Sequence, residues 1–178
     1  YSAAQLARDS KIYSIWEGTN FIQSMDLTGR KFSMKKGGPF KKWLDDIRSF
    51  INDNKDNADF KKEIQMLSDA FSAYSDILKM LSEKLAEGQV SYQGLWATRI
   101  MHATAMVYCG MLLLDQGLLA NKKLAELGDG HYDANFYKGK IASARFYLLN
   151  EVPNIFAIQR MLQSGDFSAA DVTPEQLG

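Results

Sequence analysis

The chain has 178 residues, enough for one domain or two small ones, and 46% of them are hydrophobic, so a sizeable core can form. Lys and Arg number 21 and so do Asp and Glu, which removes the electrostatic case for a nucleic-acid partner or an acidic membrane surface. The single cysteine, Cys109, excludes an internal disulfide, fits a reducing and hence cytoplasmic setting, and reads as a buried structural thiol.

Nearly everything reads as helix. Prolines occur only at Pro39, Pro153 and Pro174, and no sustained period-2 alternation argues for strands. The fold class expected is therefore all-α, a helical bundle. Ser2 with Gln5 forms a capping-box pattern that opens a short helix towards Tyr13. The triplet Glu17-Gly18-Thr19 breaks it. Thr19 can cap a second helix with Ile22, Met25 and Gly29 on one face. Lys35-Lys36-Gly37-Gly38-Pro39 reads as a linker.

Phe40, Trp43, Ile47 and Phe50 mark a third helix. Ile64, Leu67, Phe71, Tyr74, Leu78, Leu81 and Leu85 alternate spacings of three and four, which predicts a bundle helix from about Asp59 that ends at Gly88. It should bury Leu67, Phe71, Leu78 and Leu81. Ser91 opens a fifth helix to about Leu127, with a break expected near Gly117. Its most apolar run, 103–114, is far short of the roughly 20 residues that a spanning helix needs. No membrane span is expected, and the run reads as a central helix buried all round. Residues 128–135 form a loop. A sixth helix follows with Ile141, Ala144, Leu148, Ile155, Ile158 and Leu162 inward and a kink at Pro153. From Gly165 the chain is a polar tail, in which Thr173-Pro174-Glu175-Gln176 looks like one more helix start. No signal peptide is visible. The chain begins at Tyr1 inside a helical pattern, which reads as a fragment of something longer or as trimmed numbering.

Most candidate chemistry is absent. Neither histidine has a glutamate three residues before it, as a di-iron bundle requires; Arg99 stands there for His102. Two histidines and one cysteine are too few for zinc, so no metal site is expected. Asp129, His131 and Asp133 alternate in a solvated loop, and His102 on an apolar helix reads as a hydrogen-bonded core residue. No nucleophile elbow or phosphate loop occurs. Lys35-Lys36 and Lys122-Lys123 read as solvated surface.

Glu17 is different. Ile15 and Trp16 precede it, and an apolar setting raises a carboxyl pKa towards the range useful for a base, while the dipole of the helix that starts at Thr19 lowers it, so the sequence leaves the net direction open. Gly18 has no side chain, so a flat substrate can approach the backbone. Thr19, Asn20 and Phe21 open a helix whose free N–H groups can serve a polar ligand.

Arg8-Asp9-Ser10-Lys11-Ile12, then Ile15-Trp16-Glu17-Gly18-Thr19-Asn20 and Ile22-Gln23, closely resembles the C-terminal signature of the acyl-CoA dehydrogenases. The likeness covers residues 1 to about 32. More loosely, the stretch from Pro39 to about Gly165, with Phe136-Tyr137 and Ala144-Arg145-Phe146-Tyr147, resembles the extra helical domain of a long subfamily. The resemblance implies three parts: residues 1–36 as the last part of the family's C-terminal helical domain, 37–165 as an additional bundle, and 166–178 as a polar tail.

It also implies roles. Glu17 would be the catalytic base that removes the α-proton of an acyl-CoA thioester while the β-hydride passes to FAD. Gly18 would lie against the substrate, and Thr19, Asn20 and Phe21 would occupy the FAD-contacting positions. Arg8 and Asp9 would brace the turn. Trp16 stands where the family usually has Tyr, and Phe21 where a polar residue is common, so the Phe21 contact would be through backbone or stacking. Electron-transfer flavoprotein as acceptor and a homo-oligomeric assembly are carried over in the same way. By itself the chain is not expected to hold FAD or to turn over. The competing reading is a non-catalytic helical interaction or oligomerisation module.

Overall fold

A computed structural model describes residues 2–15 and 19–177; Trp16, Glu17 and Gly18 lie outside the described residues. Among those described there are helices and turns and no strand. The helices are α1 (Ser2–Ser10), α2 (Ile12–Ile15), α3 (Thr19–Asp26), α4 (Gly38–Asn54), α5 (Lys61–Ala86), α6 (Ser91–Leu127), α7 (Ala134–Phe146) and α8 (Asn154–Gln163). α6 is the hub, packed against α3, α4, α5, α7 and α8.

The core is built on α5. Ile64, Leu67, Phe71, Tyr74, Ile77 and Leu81 are buried, each side chain contributing roughly 1.5–3 kcal/mol by leaving water. Leu78, expected inside, is only half-buried, and Ile77 takes its place. Buried polar groups on this helix are partnered. The Tyr74 hydroxyl lies 2.8 Å from Thr104 Oγ1. Glu63 is buried and paired with Arg145 of α7 at 3.4 Å, and Arg145 also donates to the Asp59 carbonyl at 3.2 Å. Asn57 closes the turn that leads into α5 by accepting from the N–H groups of Asp59 and Phe60.

α6 runs unbroken for 37 residues, against the break expected at Gly117. That glycine is a packing residue. A Cβ built there would sit 2.8 Å from the Ala144 Cβ and 3.3 Å from Phe60 Cε1, so its absence lets α7 approach closely. Gly139 in α7 has open space around it instead. Gly117→Ala is therefore expected to cost about 1–3 kcal/mol through overpacking. Gly139→Ala should stabilise by about 0.5–1 kcal/mol through helix propensity. The opposite signs are read from urea midpoints at unchanged slope.

Pro153 does more than kink a helix. It separates α7 from α8, with a π-helical turn, Tyr147–Glu151, that lets the Val152 N–H reach the Tyr147 carbonyl at 3.0 Å. The residues expected to form a linker make a closed turn: Lys35, Lys36 and Gly37 are all left-handed, with φ of 51°, 58° and 76°. Phe32 and Phe40 stack across it with centroids 4.0 Å apart, and Pro39 falls in the first turn of α4. The start of the polar tail is anchored, with Phe167 stacked on Tyr92 and the Tyr92 hydroxyl donating to the Gly165 carbonyl at 2.9 Å. The helix start expected at Thr173 is a single 3-10 turn, Pro174–Gln176, closed by a Thr173–Gln176 capping box.

The α6 helix departs from expectation in its exposure. Among the described residues it is the one helix long and apolar enough, by length and composition, to cross a membrane. Yet only 33% of its most apolar 18-residue stretch is buried. Ala103, Val107, Gly110 and Leu114 face the core, while His102, Ala105, Tyr108 and Leu112 are exposed. One side of the helix is covered by the bundle and the other is not. For the same reason His102 is a surface residue rather than a core one.

Candidate functional site

Glu17 and Gly18 fall outside the described residues, so the site is defined by the helix that follows them. α3 begins at Thr19, where a fresh helix was expected. Asn20 is exposed, and Phe21 is 53% exposed with its ring presented at the open end of the helix. The N–H groups of this first turn have no intrahelical acceptor, as at any helix start.

What holds α3 in place was not foreseen. Ile22 is exposed, and the side facing α6 carries Ser24 and Thr28 instead, both buried. Ser24 Oγ donates to the Phe21 carbonyl at 2.7 Å and lies 3.4 Å from Thr98 Oγ1 of α6. Thr28 Oγ1 donates to the Ser24 carbonyl at 2.9 Å and accepts from Gln93 Nε2 at 3.4 Å. Gly29 makes room for that amide, since a Cβ there would lie 2.7 Å from Gln93 Nε2. Side-chain bonds back to the preceding turn perturb a helix. Just here α3 widens into a π-helical turn, Leu27–Lys31. Asp26 and Arg30 form a bidentate pair across the widening, and the Arg30 guanidinium holds the Asp26 carboxyl below its ordinary range. The two α3–α6 bonds also give direction. Four residues forward on α3 is five residues back on α6, so the helices are antiparallel. The amino end of α3 thus points along α6 towards Ala105 and Tyr108.

The other candidate residues do not converge on this place. Arg8 and Asp9 both engage Gln5 within α1, at 2.9 and 2.8 Å; the Ser2 side chain lies outside what is described, and with it the capping box expected there. Leu6, Ile12 and Tyr13 are exposed. Cys109 is half-buried beside Tyr147, whose phenol is pushed up to about 12 by burial and by the neighbouring thiol. Asp129 pairs with Lys138 at 2.9 Å, while the Asp133 carboxylate lies 3.9 Å from His131 Nδ1. The His131 Nδ1 accepts from the Asp133 N–H at 3.1 Å. Among the described residues no group of three or more His, Cys, Asp or Glu is placed to hold a metal ion.

The arrangement is a short helix, held on the bundle by polar contacts to α6, that presents an exposed amide and an exposed aromatic ring directly after Glu17 and Gly18 in sequence. An amide and a ring at a helix start match the edge and face of a planar heteroaromatic cofactor, so the residues present fit a flavin.

Residues 43–173 match the family model described as "Acetyl-CoA dehydrogenase C-terminal like". The chain is 55% identical over 177 residues to a butyryl-CoA dehydrogenase of Syntrophomonas wolfei, covering 99% of this chain and 29% of that protein. A second butyryl-CoA dehydrogenase of the same organism is 53% identical over 98% of the chain and 28% of its own length. The broad-specificity linear acyl-CoA dehydrogenase FadE5 of Mycobacterium tuberculosis is 28% identical over 93% of the chain and 28% of its own length. The chain thus spans under a third of the length of the curated relatives it matches.

Proposed function

Because the chain belongs to the acyl-CoA dehydrogenase C-terminal-like family, we propose that it is the part of an acyl-CoA dehydrogenase that carries the catalytic base. In this reading residues 1–36 complete the family's C-terminal helical domain, 37–165 form an additional bundle and 166–178 a tail. The observation that supports it is that α3 starts at Thr19, directly after Glu17-Gly18 in sequence, with Asn20 and Phe21 of its first turn exposed.

Glu17 takes the α-proton of the thioester onto its carboxylate. Gly18 leaves room for the acyl chain beside the backbone. The N–H of residue 17 polarises the thioester carbonyl, which acidifies the α-carbon. Thr19, Asn20 and Phe21 hold the edge of FAD, Phe21 by stacking or through its backbone. Bound FAD supplies the two-electron acceptor for the β-hydrogen. Ser24, Thr28 and Gln93 keep α3 where that contact can be made.

The names of the two relatives above 50% identity point to a short linear acyl chain. Electron-transfer flavoprotein is the proposed acceptor and a homo-oligomer the proposed assembly. The single cysteine supports a reducing, cytoplasmic location.

The test uses the full-length polypeptide. It should purify with flavin, bleach anaerobically on addition of butyryl-CoA, and yield the 2-enoyl thioester. Among saturated acyl-CoA thioesters, efficiency should fall as the chain lengthens. A flavin-free protein, or one that no acyl-CoA bleaches, would favour the interaction-module reading.

A further inference from the structure

Between α6, α8 and the start of the tail lies a pocket of about 280 Å³. Buried Trp96 and Leu162 line it, together with the more exposed Leu95 and Met161. Two charges share this apolar lining, Arg99 of α6 and Asp166 of the tail. The reaction proposed above uses none of these residues.

The wall that carries Asp166 is pinned on both sides. The Gly165 carbonyl accepts from the Tyr92 hydroxyl, and Phe167 stacks on the same ring. Trp96 packs edge-on against Tyr92 with centroids 4.6 Å apart, so one ring braces both the tail and the indole of the pocket. The Asp166 oxygens accept from the Ser168 N–H and hydroxyl, each at 3.1 Å, which holds the carboxyl below its ordinary range. A carboxylate has about four acceptor positions, so these bonds leave room for a further donor. Arg99 makes one long hydrogen bond, 3.4 Å to the Leu95 carbonyl, and does not pair with Asp166. Most of its planar fork of N–H donors is therefore unclaimed by the protein.

Opposite charges that line one apolar pocket without meeting select a ligand by sign. A monocarboxylate satisfies Arg99 but brings its charge near Asp166, and a monoamine does the reverse. A zwitterion meets both. The volume of about 280 Å³ equals roughly nine waters at ~30 Å³ each, the size of leucine or methionine and far below that of a coenzyme A thioester. An apolar lining with a few placed polar groups is the usual make-up of a small-molecule site.

We propose that this pocket binds a free α-amino acid with an apolar side chain, its carboxylate on Arg99, its ammonium on Asp166 and its side chain against Trp96 and Leu162. The site is distinct from the seat of α3. At about 100° per residue, Leu95, Trp96 and Arg99 lie on the side of α6 opposite Gln93 and Thr98, which hold α3. The proposal thus goes beyond the dehydrogenase reading and does not depend on it.

The test is titration calorimetry on the full-length, flavin-containing protein with L-leucine as the probe. One leucine should bind per chain at millimolar concentration or below. 4-Methylpentanoate, which lacks the ammonium, and 3-methylbutylamine, which lacks the carboxylate, should each bind at least about tenfold more weakly, the loss expected for a hydrogen bond to a charged group. Arg99→Gln and Asp166→Asn should each weaken leucine by a similar factor, with flavin content unchanged. Asp166→Asn should also shrink the preference for leucine over 4-methylpentanoate, which a folding defect would not do. No heat at millimolar leucine overturns the proposal. So does 4-methylpentanoate binding as tightly as leucine, or full leucine affinity in both variants. Competition between leucine and butyryl-CoA overturns it as well, by placing the amino acid in the thioester site.

Discussion

Glu17→Gln in the full-length protein is expected to slow anaerobic flavin bleaching by butyryl-CoA about 10²–10⁴-fold, the usual loss when a general base is removed. The amide keeps the size and shape of the carboxyl but cannot accept the proton. The peptide N–H at position 17 is unchanged, so flavin content and acyl-CoA affinity should be retained. Glu17→Asp keeps the charge and shortens the arm by one methylene. A misplacement of about 1 Å can cost 10²-fold, so this variant should also be slow. The two variants together distinguish lost basicity from lost geometry, because only the second retains a titrating carboxyl. Stopped-flow absorbance at the flavin band reads both. Near-normal bleaching in Glu17→Gln would place the base elsewhere in the polypeptide.

The second large effect concerns the bundle. Phe71→Ala is expected to cost about 3–5 kcal/mol, the range for emptying a buried aromatic site. Phe71 lies in the α5 core with the Arg48 guanidinium carbon 5.7 Å from its ring centroid, so truncation removes both packing and a cation–π contact. Leu78→Ala one face over should cost less, below about 2 kcal/mol, because Leu78 is already partly in water. A loss below about 1 kcal/mol for Phe71→Ala would mean that the wrong face of α5 had been placed inward.

The Leu78 outcome explains how the sequence could be read so far and no further. Successive residues on a helix are about 100° apart, so Leu78 and Ile77 lie on either side of the buried stripe of α5, and which of them is covered is decided by the neighbouring helices rather than by the spacing of three and four. Helix limits were legible wherever a breaker coincided with a change of pattern, as at Gly88 and Pro153. Gly117 misled because a glycine in mid-helix reads as a break, and its packing partner Ala144 is remote in sequence. On α6 the composition showed an apolar helix but not which side the fold leaves open.

The candidate site was legible as a motif, from Arg8 to Gln23, and illegible as a support. Ser24 and Thr28 read as surface residues because they are polar. Their partners, Thr98 and Gln93, lie more than 60 residues away. A pair of hydroxyl residues four apart on a short helix was the available signal, and it becomes informative only once α6 is known to run alongside.

That hydroxyl pair has a consequence for precision. Two apolar helix faces can slide past one another at little cost, since one methyl group substitutes for another. Polar contacts add a cost to sliding: the Ser24 and Thr28 hydroxyls keep their bonds to the preceding turn, but the Ser24–Thr98 and Gln93–Thr28 contacts across the seam are lost. The next position that could rebuild them lies one helical turn away, a step of about 5.4 Å. Chemistry at a carbon acid can lose about 10²-fold for a misplacement of only about 1 Å. The Ser24–Thr98 and Thr28–Gln93 contacts therefore act as a detent. They fix the register of α3 on α6, and with it the axial position of Thr19, where α3 begins.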